Sequence, residues 1–548
     1  MSTEQQSFFE WEDSNPLLNG VPLNIGFTSM GLLLAHDPRL LWEGESVDVA
    51  RLPNLIGKIR QLFVVTKVAV EFALQFFELL TDGLKARDPR LDQNRARIYK
   101  TGVFKGRRMS ELPWFSGGAA GMVVEGITGV AKSFILQRVL TLIPQTWSHP
   151  ASAEYGWQTF THLIYLVVPM PSSSRQGAFL FDVALAMDKA LGTKYAEALR
   201  SRELSDDKRA VLVLHWLSVR RCGVLIVEEC QERNLPSSVF GSEFLMLFLR
   251  AMNWGIPVVV VGNPKALATI KTFTQDGRRF SVGHWFTMEP NWDYRSDAWS
   301  KDLVPGIWGW SPMDGKDETI PLRDFYLWKK TGGIPDFLVL LRKESLKSAA
   351  KMGRDFVTVA DIEAAYKGRA MHANHPLIEA LVSFDCGKLT ALTDIPAEAI
   401  VARWVELGFL VSQSAGETAT ASVPGLPTSD AGLTAASPPA SLSKALNGET
   451  AKLNAKPKNR KSKPLAPASP QLPSLPTARD EAECGAPDHS ATNQPSVVEP
   501  KSVAEEPLVS RPAPSPPDHA APDQHLDRRG AAYRHLLTRR AEGNDGKA

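Results

Sequence analysis

The residues best suited to chemistry are Gly126-Ile127-Thr128-Gly129-Val130-Ala131-Lys132-Ser133, followed by Phe134. They match the spacing G-x-x-x-x-G-K-[ST] of a phosphate-binding loop, with alanine at the second glycine position. Backbone N–H groups from 126 to 134 and the dipole of the following helix would hold phosphate oxygens. Lys132 would reach the β- and γ-phosphates, and Ser133 would ligate Mg²⁺. Where Ala131 needs a positive φ, its Cβ costs about 1–2 kcal/mol. That is too little to abolish a site held by many charge-assisted bonds.

A second constellation lies about a hundred residues on. Val224 to Glu229 (VLIVEE) is four apolar residues followed by two carboxylates. Beside a phosphate loop, the first acid of such a strand holds Mg²⁺ through its hydration shell and the second polarises the attacking water. Those roles fall to Glu228 and Glu229. Glutamate at 228, where aspartate is usual, adds a methylene and leaves room for slow hydrolysis. Asn263 ends the apolar run Ile256 to Val261, placed to orient a lytic water. Arg278 and Arg279 follow a helical stretch beyond it, where an arginine could reach the γ-phosphate of a neighbouring subunit. His372 and His375 are spaced as H-x-x-H, but with no third ligand nearby they do not define a metal site.

These residues need a scaffold that alternates strands and helices. Met122 to Glu125, His162 to Val168, Gly223 to Val227 and Ile256 to Val261 are apolar runs of strand length. Helical periods cover Lys132 to Leu142, Phe179 to Leu191, Arg209 to Arg220 and Glu243 to Trp254. This order predicts an α/β fold with a parallel sheet. A tryptophan-rich loop (Trp292, Trp299, Trp308, Trp310) follows, then helices from Leu322 to about Tyr366, which reads as a small helical lid. From Phe63 to Leu80, Lys67, Glu71, Gln75 and Glu78 make one polar stripe on an amphipathic helix that packs on its own domain. The expected organisation is a mostly helical region over 1–100, a nucleotide-binding core over 101–317, a lid with carboxyl-terminal helices over 318–413, and a tail over 414–548. The tail is rich in Pro, Ala and Ser and is expected to be disordered. Two basic islands interrupt it, one at Lys456, Lys458, Arg460, Lys461 and Lys463, the other from Arg528 to Arg540.

Composition sets outer limits. In 548 residues, 62 lysines and arginines balance 60 acids, so any contact with nucleic acid must be a local patch. Cys222, Cys230, Cys386 and Cys484 show neither C-x-x-C spacing nor a disulfide framework, which fits a reducing, cytoplasmic compartment. The amino terminus has no secretory pattern and no stretch reads as a membrane span, so no membrane partner is expected.

With these landmarks placed, the chain resembles the TnsC/TniB family, AAA+ regulators of DNA transposition. The resemblance runs from about Asn15 to Val411. It rests on the phosphate loop, on Met187 to Gly192, and on Leu225 to Gln231 (LIVEECQ), where the family has a D-E-x-Q pattern. It continues through Gly255-Ile256-Pro257, Gly262 to Ala266, Arg278-Arg279 and Gly332 to Pro335. Asn15-Pro16-Leu17 and His375 to Leu381 resemble the longer TnsC branch. The alanine at 131 has a parallel in the minichromosome-maintenance helicases, AAA+ proteins with a similar G-V-A-K-S ending. The resemblance implies an AAA+ ATPase core with ATP and Mg²⁺ as cofactors, assembled as a homo-oligomeric ring or helical filament. It also implies largely sequence-independent binding of double-stranded DNA, and partners of two kinds: a TniQ/TnsD-like target selector, with the amino-terminal region as its expected contact, and a TnsA/TnsB-like transposase. Arg175, Lys189 and Lys194, between the two nucleotide motifs, are the expected DNA contacts. The chain departs from the pattern at Ala131, at Glu228, and in lacking an arginine within Gly333-Ile334-Pro335-Asp336. A replication initiator or helicase loader shares the AAA+ parts, and a nucleotide-bound scaffold with negligible turnover is a third reading.

Overall fold

The computed structural model describes residues 15–41, 51–103, 107–111, 118–173, 175–201, 204–231, 239–272 and 274–410. The tail with its basic islands, and Cys484 within it, lies outside these residues.

Apolar runs become a parallel sheet because each strand is covered on both faces. The strands are β1 (Gly121–Gly126), β4 (Tyr165–Pro169), β5 (Val224–Cys230), β6 (Val258–Gly262) and β7 (Trp285–Met288), in the spatial order β4-β5-β6-β1-β7. All neighbours run parallel, with Val123 opposite Val260 and Gly126 opposite Met288. Alternating side chains divide between two cores, as a period of two requires. Met122, Val124, Val224, Ile226, Val259 and Val261 pack with the amino-terminal segment and the lid. Val123, Leu225, Val227, Val258 and Val260 pack on the other face, against α3 (Gln176–Leu191), α4 (Asp206–Val219) and α5 (Val239–Asn253).

The run from His162 to Val168, expected as one strand, is two. β2 (Thr146–His149) and β3 (Phe160–Leu163) form an antiparallel hairpin outside the main sheet, and β4 begins two residues later. Ile164 is the pivot: its N–H bonds the Gln145 carbonyl, and its own carbonyl receives the Val224 N–H. The chain therefore changes sheets without a loop, and hydropathy alone cannot mark such a point.

The amphipathic helix is α1 (Lys67–Lys85), starting four residues later than its apolar pattern. Phe63 is held instead in an isolated bridge with His36, and Thr66 caps the helix by accepting from Ala69 N–H. The face opposite the polar stripe is buried through Phe72, Phe76, Leu80 and Leu84. Just beyond it, the buried Arg87 donates to the carbonyls of Cys222 at 2.6 Å and Gly223 at 3.2 Å. Burial lowers its pKa to about 10. This stitches the amino-terminal segment to the start of β5. Gly223 is required there, since a Cβ would lie 2.3 Å from the Ile164 carbonyl oxygen.

Beyond β6 come α6 (Pro264–Thr272) and α7 (Thr274–Val282). The tryptophan-rich segment is not a plain loop. It contains a π-helical turn, Ala298–Leu303, and the helix Val304–Trp308, with Trp299 and Trp310 fully buried. The lid that follows is helical, as expected: α8 (Arg323–Thr331), α9 (Pro335–Lys351), α10 (Val359–Lys367), α11 (His375–Ser383) and α12 (Ala397–Glu406). Among the described residues no helix is long and apolar enough to cross a membrane.

Candidate phosphate-binding site

The loop sits at the carboxyl end of β1 and runs directly into α2 (Lys132–Leu140). The turn needs two left-handed residues. Gly129 has φ +85°, and Ala131 has φ 71° and ψ 18°, so the strain anticipated for an alanine at this position is present. The Gly129 carbonyl accepts the Asp336 N–H at 3.2 Å, and a Cβ at 129 would meet Ile334 at 2.7 Å. The amino end of the lid helix α9 thus packs onto the loop. No feature of the sequence ties Asp336 to Gly129, and Gly129 leaves no room for a larger residue.

Lys132 Nζ donates to the carbonyls of Gly126 at 2.7 Å and Ile127 at 2.8 Å. Burial lowers its pKa to about 8, with the Glu229 carboxylate opposing that fall. On β5, Glu228 is a half-buried carboxyl. Burial pushes its pKa up, a hydrogen bond with Ser133 opposes this, and Glu229 adds to the rise. Glu228 Oε1 is buried with no hydrogen-bond partner. A buried, orphaned carboxylate oxygen beside the Ser133 hydroxyl is a donor set suited to a hydrated Mg²⁺. Lys132 and Ser133, which follow β1, lie near Glu228 and Glu229 on β5, with β6 between the two strands.

Asn263 also reaches this end of the sheet, but its side chain is engaged. Its Oδ1 accepts the Lys265 N–H at 3.2 Å, capping α6, and its amide donates to the Asp394 carbonyl at 2.9 Å. Lys265 Nζ bonds the adjacent Thr393 carbonyl. The segment before α12 is therefore fastened across the end of β6.

Arg278 and Arg279 lie elsewhere. Both are exposed on α7, where the next residue, Phe280, packs against Gly121 at the start of β1. Arg279 donates to Asn253 Oδ1 at 2.8 Å. Five residues of strand, roughly 17 Å, separate this edge from Gly126, so neither arginine serves the loop of its own chain. Arg175, Lys189 and Lys194 are all exposed. Arg175 immediately precedes α3 without a side-chain capping bond, Lys189 sits in its last turn, and Lys194 immediately precedes the next helix, Tyr195–Leu199. The two ends are about 21 Å apart at 1.5 Å per residue, so these three are not one patch. His375 Nε2 donates to the Tyr366 carbonyl, 2.9 Å away, and its ring stacks on the Tyr366 ring. No cluster of metal-binding side chains occurs among the described residues.

A cavity of about 1430 Å³ joins these parts. It exceeds the roughly 300–1,000 Å³ of ordinary ligand pockets, so a nucleoside triphosphate fits. Sequence reasoning missed several of its walls. Arg60, Leu62 and Phe63 come from the amino-terminal segment, and Glu289, Asp336 and Arg403 from the connector and the lid. Phe63 meets Phe134 with ring centroids 5.3 Å apart, an apolar surface suited to a base. Arg403 bonds Glu289 at 3.0 Å, and Glu289 follows Met288, the strand partner of Gly126. Burial raises the pKa of Asp336, with Arg60 opposing. Residue spacing carried no sign of these contacts, which span up to 343 positions (residues 60 to 403) around one cavity.

The sheet order, the loop at the carboxyl end of β1 and the helical lid over it make this an α/β P-loop fold of the AAA+ type. No family model and no curated protein matches the chain. Solved structures similar to it include the Aeropyrum pernix ORC1 protein in complex with DNA, at 15% identity and TM-score 0.31, covering 59% of this chain and 85% of that one. A Walker-type ATPase of Pyrococcus abyssi is 14% identical with TM-score 0.32, covering 58% of this chain and 90% of its own. The RuvB Holliday junction branch migration motor of Thermotoga maritima is 13% identical with TM-score 0.29, covering 61% and 96%. Likenesses this loose have no bearing on function, and the fold class stands on the sheet and loop themselves.

Proposed function

We propose that the protein is an ATP-dependent, DNA-binding regulator of transposition of the TnsC/TniB kind. It oligomerises on target DNA in the bacterial cytoplasm and links a TniQ/TnsD-like selector to a TnsA/TnsB-like transposase. The observation that carries the nucleotide part is the convergence of Lys132, Ser133 and Glu229 on one cavity closed by the amino-terminal segment and the lid, with Glu228 hydrogen-bonded to Ser133. The transposition part rests on the ordered motifs from Asn15 to Leu381.

In this reading the loop N–H groups and Lys132 bind the phosphates, and Lys132 exchanges its two carbonyl partners for phosphate oxygens. Ser133 and Glu228 would hold Mg²⁺, which when bound neutralises charge on the β- and γ-phosphates. Glu229 accepts a proton from water as the water oxygen bonds the γ-phosphorus. The bond from that phosphorus to the β–γ bridging oxygen breaks, ADP leaves with its electron pair, and Glu229 returns the proton to solvent. Arg278, exposed and remote from its own loop, is available to a neighbouring subunit's phosphate.

The test is assembly. ATP or a slowly hydrolysed analogue is expected to produce oligomers on double-stranded DNA in sedimentation or electron microscopy, and Lys132→Ala to prevent them. Monomers on DNA in every nucleotide state would overturn the proposal. A scaffold with negligible turnover is the second reading, favoured by the raised pKa of Glu228. Background-level phosphate release from both wild type and Glu229→Gln would select it.

A further inference from the structure

The strand that carries the two acids is irregular where they stand. Val227 pairs with Val260 and Cys230 with Gly262, so three steps along β5 oppose two along β6. The extra residue makes a β-bulge at Glu228-Glu229, a device that bends a strand and re-aims a side chain. Glu229 takes the strain, with φ +56° in the left-handed region. For a residue with a Cβ that conformation is uncommon, and it marks functional positions when the surroundings enforce it. Two residues on, Gln231 Nε2 donates to Glu229 Oε2 at 2.6 Å. Both side chains line the cavity that holds Lys132 and Ser133.

The bulge and the amide act on the same carboxylate. The bulge aims it into the cavity, and the amide fixes one of its oxygens. An exposed glutamate without such a bond samples several rotamers, of which few place an oxygen against a water in line with the γ-phosphorus. We propose that Gln231 is a positioning residue for Glu229: by holding Oε2 it fixes the orientation of the carboxylate that accepts the proton of the attacking water. This rests on the reading that the site hydrolyses ATP with Glu229 as base. In this proposal Gln231 acts through Glu229, so its contribution is to kcat rather than to nucleotide affinity.

The experiment compares wild type, Glu229→Gln, Gln231→Ala and Gln231→Glu. Phosphate release on double-stranded DNA is measured from pH 5 to 9, and ATP affinity separately with a fluorescent analogue. Thermal melting verifies that each variant folds. Gln231→Ala is expected to lower kcat about tenfold with affinity changed less than twofold. Gln231→Glu, when ionised, has no N–H to donate to Oε2 and is expected to lower kcat as far as Gln231→Ala does. A fall in kcat at unchanged affinity in the alanine variant is a split that a merely structural role would not produce. Loss of turnover in Glu229→Gln, with kcat unchanged in both Gln231 variants, overturns the inference alone. Absent turnover in wild type, or wild-type turnover in Glu229→Gln, overturns the hydrolytic reading and the inference with it.

Discussion

Lys132 makes nucleotide affinity depend on pH in a direction that its position determines. Its ammonium is buried against the Gly126 and Ile127 carbonyls, and burial lowers its pKa from 10.5 to about 8 despite Glu229 nearby. Phosphate oxygens around the same ammonium restore its preference for the charged form. In the free protein, then, the proton leaves as pH rises through about 8, whereas the bound form keeps it to well above 9. Binding above pH 8 must therefore take up a proton, and affinity falls as pH rises. Below pH 8 the lysine is charged in both states and the dependence disappears. At pH 9, one unit above the free pKa, about one molecule in eleven carries the proton. The expected loss is about tenfold relative to pH 7, or about 1.4 kcal/mol. Titration with a fluorescent ATP analogue from pH 7 to 9.5 measures this. Lys132→Arg, whose guanidinium stays protonated throughout, is expected to flatten the curve even where its absolute affinity is lower. A flat wild-type curve, or an equal decline in the arginine variant, would refute the placement of Lys132 as the buried phosphate cation.

Two further outcomes follow from the same geometry. Ala131→Gly relieves a left-handed strain of about 1–2 kcal/mol against about 0.5–1 kcal/mol of added backbone entropy. A net gain of about 0.5 kcal/mol is expected in urea unfolding, opposite in sign to an ordinary helical Ala→Gly change, and a loss of 1 kcal/mol would show that the loop does not need this conformation. Arg175 and Lys189 stand at opposite ends of α3, about 21 Å apart at 1.5 Å per residue, so Arg175→Glu and the double variant Lys189→Glu/Lys194→Glu should act independently on DNA binding. Each lost phosphate contact lowers the slope of log K against log salt by about 0.9, and slopes unchanged in both variants would remove this helix from the interface.

The parts of the site that lie within continuous motifs were legible. The phosphate loop could be read because its spacing and its strand–helix context are both local, and Val224 to Glu229 because an apolar strand ending in acids is local too. The parallel sheet followed from four apolar runs. What stayed hidden depends on tertiary contact. The division of the run His162 to Val168 between two sheets turns on Ile164 pairing with Gln145 and Val224, partners that no window contains. Arg60 and Arg403 belong to segments without a motif, and only folding brings both to the wall of one cavity. The bulge at Glu228-Glu229 is a mismatch between β5 and β6, a property of the pair rather than of either strand. Asn263 shows the reverse case. Its place at a strand end was readable, yet its amide is held by the Asp394 carbonyl, 131 positions away.

That last contact bears on how a nucleotide could be sensed. Asn263, Lys265 and Glu289 stand at the ends of β6 and β7, and each is bonded to the segment from Thr393 to Arg403. On the opposite wall, Gly129 is bonded to Asp336 at the start of α9. The phosphate loop and the strand ends are thus gripped by different parts of the same helical lid. A ligand that draws Asn263 toward a γ-phosphate must rearrange the second grip, while the first stays tied to the loop backbone. Interactions present only with a third phosphate shift the lid only to the extent that they bind one arrangement better than the other. Side chains already engaged in the free protein supply such a difference, because each new bond to phosphate replaces a bond to the lid. In the proposed function, coupling between nucleotide and lid would run through the exchange of hydrogen-bond partners at Asn263 and Arg403.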